Sequence, residues 1–168
     1  MAQVHAHFCD EKYLGFLVVT QNCDLVKRTG RCKTHHVSLA VIRALDDLMP
    51  VLLDELCGTG IPGVYEEESK PRACQLLERI LNQNEQALGM FYLHPDSDAG
   101  IAVPSVALLR VTISFRAEHY THLQEARVGT LELQFASKLG WLLGNLYARM
   151  ATPDWSDQVS GRQESPRI

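Results

Sequence analysis

Residues 20–36, TQNCDLVKRTGRCKTHH, concentrate the side chains of this chain that can do chemistry. Cys23 is a nucleophile once it is a thiolate. Lys27, Arg28 and Arg31 would supply the positive field that lowers a thiol from its usual pKa of about 8.5, and His35 or His36 would be the base. Asp24, or a histidine, could instead take the proton from a ribose hydroxyl while Arg116 stabilises charge on phosphorus. With Gln21 beside them, Cys23, Asp24 and Arg116 make the candidate catalytic set. The same stretch also reads as a phosphate-binding surface. Lys27, Arg28, Arg31 and Lys33 are the residue types that hold a nucleic-acid backbone, and Gly30 lets the loop come close to it.

Zinc is the third chemistry these residues suggest. Cys32 and His35 have two residues between them, which suits a metal, but the eight residues between Cys23 and Cys32 do not. A fourth ligand would have to come from His5, His7 or Cys9, so the expectation is a chain without metal or cofactor. Each reading has a plain counterpart. A cysteine after an apolar run is commonly a buried small hydrophobe, and four charges in seven residues are commonly a solvated loop.

Net charge is −4 over 168 residues, which disfavours a surface that binds nucleic acid everywhere. The charge is uneven, however. Residues 1–42 carry five Lys/Arg against three acidic side chains, and residues 43–90 carry four against nine, so one basic patch on an acidic protein is expected. Five cysteines without regular spacing, no basic segment before an apolar stretch, and no apolar run of about 18 residues point to a reducing cytoplasm and no membrane.

The elements that must position these residues follow from hydrophobic period. YLGFLVVT (13–20) reads as a buried central strand with Cys23–Asp24 at its exit, on the edge of a pocket. VSLAVIRAL (37–45) reads similarly, with a helix as the alternative. Residues 46–56 have helical spacing despite Pro50. Residues 69–86 are a second helix, with Ser69 as cap, Pro71 in the first turn and Leu76, Leu77, Ile80 and Leu81 on one face. Strands over 88–95 and 103–115 follow, then a short helix in AEHYTHLQEA. Residues 129–150 form a long amphipathic helix. Along it runs a second stripe, Ala136, Gly140, Gly144 and Ala148. Each interior glycine costs about 1 kcal/mol against alanine, so the stripe needs a close neighbour: another part of the chain, or a homodimer seam. The pattern predicts an α+β fold, a small and mostly antiparallel sheet or open barrel packed with helices. One globular domain is expected over 1–152, with 153–168 as a disordered tail.

FLVVTQNCDLV (16–26) resembles a signature of small bacterial proteins in which an apolar strand ends in Ser or Thr, Gln or His, any residue, then Cys-Asp-Ile/Leu. ASKLGWLLGNLYARMATPDW (136–155) resembles the tail of the same family, and FYLHPD (91–96) falls where its middle strand ends. The resemblance implies a prokaryotic mobile-element, toxin–antitoxin or defence setting, and carries over no activity. The element order is also similar, at the level of architecture, to PemK/MazF-like toxin barrels, which cleave RNA without metal. That similarity favours a cytoplasmic protein that acts on or senses RNA through a basic groove, as a metal-independent ribonuclease or a binder. The competing reading is a non-enzymatic interaction or dimerisation module that uses the small-residue face of the last helix.

Overall fold

The computed structural model describes residues 10–28, 30–58, 61 and 63–148, with the backbone alone for Arg28 and Arg31. In chain order the elements are β1 (Gly15–Val18), α1 (Asn22–Leu25), β2 (Lys27–Arg28), β3 (Arg31–Cys32), β4 (His36–Ala44), α2 (Leu45–Cys57), α3 (Lys70–Leu81), β5 (Met90–Leu93), β6 (Ser105–Arg116), α4 (Tyr120–Glu125) and α5 (Leu133–Tyr147). Single 3₁₀ turns at Glu67–Ser69 and Ala117–His119 lead into α3 and α4. The fold is α+β. Its sheet has four antiparallel strands in the order β1-β4-β6-β5 and is open at both edges.

Alternation along the two long strands gives the sheet two apolar faces. Ala40 and Ile42 of β4, Phe91 and Leu93 of β5, and Ala107 and Leu109 of β6 face α5, meeting Leu139, Leu142 and Leu146. Met90, Tyr92 and Val106 point the other way, against Leu45 of α2 and Leu76 and Ile80 of α3. Full burial of Phe91 and Leu109 contributes roughly 2 kcal/mol each. Farther along the second face, Val37 and Leu39 pack with Leu25, Phe115, Tyr120 and Leu123. This third cluster anchors α1 and α4 to one end of the sheet.

The two halves of the sheet meet at an irregularity. Ala40 pairs with Thr112, but Val41 pairs with Leu108, so residues 109–111 of β6 leave the β4 ladder. The polar groups of Leu109 are not orphaned. Leu109 donates its N–H to Gly89 O at 2.8 Å, and its carbonyl accepts the Tyr147 hydroxyl at 2.8 Å. Gly89 is needed for this. Its φ is +65°, and an added Cβ would lie 3.1 Å from Arg110 Cγ and 3.3 Å from Leu146 Cδ2.

Several expectations are corrected. The strand within 13–20 is four residues long and at an edge, not central; Val18 is 40% exposed. The central place goes to β4, whose VSLAVI run is apolar toward both faces and pairs on both sides. Loop 24–36 contains the end of α1 and a β2–β3 hairpin, turned at Gly30 with φ +82°. Ser69 makes no side-chain cap, because the 3₁₀ turn before α3 already holds it in helical geometry. Leu81 is 47% exposed rather than on the buried face of α3. Pro50 lies inside α2, which runs through it. The predicted tail, together with His5, His7, Cys9 and Arg149, lies outside the described residues.

Candidate nucleic-acid interface

Thr20 opens the TQNCD stretch with a structural task. Its hydroxyl accepts the Ser38 N–H at 2.7 Å, while Val19 N–H donates to Ser38 O at 2.9 Å, so the side chain continues the β1–β4 ladder past the strand end. The chain then turns into α1, and Leu25 plugs the third core cluster. Thr34 N–H donates to Asp24 O at 3.1 Å, and the Cys32 thiol donates to Leu25 O at 3.4 Å. These contacts lay the hairpin back over α1.

Gln21, at the N-cap, and Cys23 and Asp24, within this short helix, come together, the first two exposed and Asp24 half-buried. Cys23 Sγ lies 3.5 Å from Gln21 Oε1, the hydrogen-bond partner of its thiol among the described residues. Asp24 Oδ1 is 3.0 Å from Lys33 Nζ. The hydrogen bond to Asp24, and then its charge, hold the Lys33 ammonium above the usual 10.5. Asp24 therefore acts as the clamp between α1 and the end of the hairpin. No histidine hydrogen-bonds to Cys23 or Asp24 among the described residues. A depression of about 250 Å³ lies between α2 and the segment before α3, lined by Leu53, Cys57, Tyr65 and Lys70 among others. Burial, then the nearby Asp54 carboxylate, raise the Tyr65 phenol there.

The basic residues are gathered from two distant parts of the chain. The β4–β6 register sets His36 opposite Arg116, and Ala117 N–H donates to His35 O at 2.9 Å. Arg116 is 76% exposed, 3.7 Å from Glu118. Lys27 Nζ donates to Thr121 Oγ1 at 3.0 Å across 94 positions of sequence, and lies 5.9 Å from the centre of the Tyr120 ring. The hairpin, the start of β4, the end of β6 and α4 thus form one end of the molecule. That end carries Lys27, Arg28, Arg31, Lys33 and Arg116, with the histidines at 35, 36, 119 and 122. The acidic groups among them are engaged: Asp24 with Lys33, Glu118 with Arg116 and His119, and Glu125 with His122. The nine acidic residues of 43–90 belong instead to α2, α3 and their flanking turns. The sequence reading missed Tyr120, Thr121, His119 and His122. The basic and aromatic residues of AEHYTHLQEA were the available signal.

Among the described residues no three His, Cys, Asp or Glu side chains are grouped closely enough to hold a metal ion. No helix among them is long and apolar enough to cross a membrane. Among the described residues Gly140 and Gly144 do not pack against another part of the chain, as one expectation had it: a Cβ added at either would meet nothing within 4 Å. No protein-family model, no curated protein and no solved structure matches this chain.

Proposed function

We propose that this is an RNA-binding protein that grips phosphates with the basic end built from the hairpin, β4, β6 and α4. The observation that carries the reading is the β4–β6 register, which brings Arg116 to the residues next to the hairpin. Lys27, Arg28, Arg31 and Arg116 are then spread over two neighbouring segments, as a backbone of regularly spaced phosphates requires. Any polyanion would meet the same charges. The architectural similarity to PemK/MazF-like barrels favours RNA and a cytoplasmic setting, and the resemblance to the bacterial Cys-Asp family favours a prokaryotic mobile-element, toxin–antitoxin or defence system.

Binding asks only for the basic residues, whereas cleavage would also need Asp24 or a histidine to take a proton, and the Asp24 carboxylate is engaged by Lys33. The test is RNA affinity against salt concentration for the wild type and the Lys27→Ala/Arg28→Ala/Arg31→Ala variant. Each lost phosphate contact to a single strand should lower the salt slope by about 0.7, so the triple variant should lose about 2. Equal weak binding by both proteins contradicts the proposal.

A further inference from the structure

β6 is much longer than β5, and that leaves part of it bare. On one edge β5 pairs with it only from Ser105 to Leu108, while β4 pairs with the other edge as far as Arg116. Leu109, held by Gly89 and Tyr147, closes the β5 side. Beyond it the main chain alternates. Ala117 N–H donates to His35 O, so Ile113 and Phe115 also turn their main-chain groups to β4. Thr112 and Ser114 turn their N–H and C=O groups the other way, as Arg116 does its N–H. No strand lies on that edge among the described residues. All three residues are exposed. Their side chains share one sheet face, where Ser114 Oγ lies 3.2 Å from Ser38 Oγ and Arg116 is opposite His36.

We propose that this bare edge of β6 is the base-reading part of the RNA site, an inference that rests on the RNA-binding reading above. Thr112 and Ser114 each set an N–H beside a C=O. Every base carries a donor next to an acceptor on its Watson–Crick edge, so each residue can hold one base by two hydrogen bonds. Spacing selects the form of the strand. Outward residues recur about every 6.8 Å, two rises of about 3.4 Å, whereas bases stacked in a duplex repeat at about 3.4 Å. An extended, unstacked strand matches, and its Watson–Crick edges are free, as those of a duplex are not. Charge selects a nucleic acid over a peptide strand, which would meet the same main-chain groups. No carboxylate occurs between Asp98 and Glu118, and the exposed Arg110 and Arg116 bracket the bare stretch. Arg110 donates from one nitrogen to Ala87 O at 3.1 Å and keeps its other N–H groups for phosphate. Arg116 belongs also to the basic end, so one strand meets a continuous surface.

The test compares probes at one salt concentration by fluorescence anisotropy: a short single-stranded RNA and an abasic strand of the same length and charge. The RNA should bind about 10-fold more tightly, the gain of one good two-bond contact to a base. Pairing it with its complement should weaken binding although it adds charge. Ser114→Pro removes an outward N–H and leaves the β4 ladder intact, a change that a free edge tolerates. It should narrow the gap between RNA and abasic strand about threefold. If that variant does not fold, the amide signals of the wild type decide: those of Thr112, Ser114 and Arg116 should shift with the RNA and not with the abasic strand. Equal affinity for the two strands, or a duplex bound as tightly as the single strand, overturns the inference and leaves the basic end as an RNA site. So does an undiminished gap in the folded variant, which would assign the edge to a peptide strand or to water. Failure to bind either strand overturns the RNA reading itself, and this inference with it.

Discussion

Asp24 Oδ1 lies 3.0 Å from Lys33 Nζ, an ion pair that closes the end of the hairpin onto α1. The pair raises the lysine above its usual 10.5 in the folded state. Because the folded pKa is the higher one, the contribution is fully present below about 10.5 and is lost as pH rises through the folded value. The denaturant midpoints of the wild type and Lys33→Met should therefore differ at pH 8 and converge as the lysine deprotonates in strong alkali. Salt should narrow the same gap, since the lysine is open to solvent and the carboxylate partly so. A gap that widens with pH would show that the ion pair is not its source.

Gly89→Ala should destabilise the protein by about 1–3 kcal/mol, measured by chemical or thermal unfolding. A left-handed backbone conformation and crowding against Arg110 and Leu146 both oppose the methyl group. It should also disturb the Leu109 N–H bond to Gly89 O, and with it the interruption that Tyr147 secures from α5. An unchanged melting temperature would mean that this turn is looser than described.

Glu85 is a charged side chain only 4% exposed, and its carboxylate is fully used. It accepts the N–H groups of Ala87 at 2.9 Å and Leu88 at 3.2 Å, and pairs with Arg79 Nε at 3.1 Å. Glu85→Ala should cost about 2 kcal/mol, the range for losing hydrogen bonds to a charged group. Arg79→Ala should cost less, because Arg79 is half exposed and the two amides remain in place to hold the carboxylate. Equal losses for the two variants would assign the stabilisation to the ion pair alone.

What could be read from the sequence was whatever is local and periodic. Leu76 and Ile80 are buried at helical spacing in α3, and Leu139, Leu142 and Leu146 likewise in α5. The long apolar run of β6 is a strand, as the pattern implied, and that of β4, which the pattern left open between strand and helix, is a strand too. What could not be read depends on pairing between distant segments. A short apolar run such as GFLV looks the same at the edge of a sheet as at its centre, and only the β1–β4 pairing decides. Strands of two residues, as in β2 and β3, have no period to detect. Arg116 lies far in sequence from the basic stretch that it joins. What places it there is the β4–β6 register, formed by residues eighty positions apart. The α5 stripe was visible as a pattern, but that it faces outward follows only from which side of the helix the sheet buries.

The central claim is that two segments far apart in sequence act as one RNA-binding surface. Amide hydrogen exchange with and without a short single-stranded RNA tests this most directly. The account predicts added protection in both 27–36 and 116–122, and none in 46–55, where Asp46, Asp47, Asp54 and Glu55 repel phosphate with no basic residue among them. Protection confined to 46–55, or absent from both basic segments at saturating RNA, would contradict it.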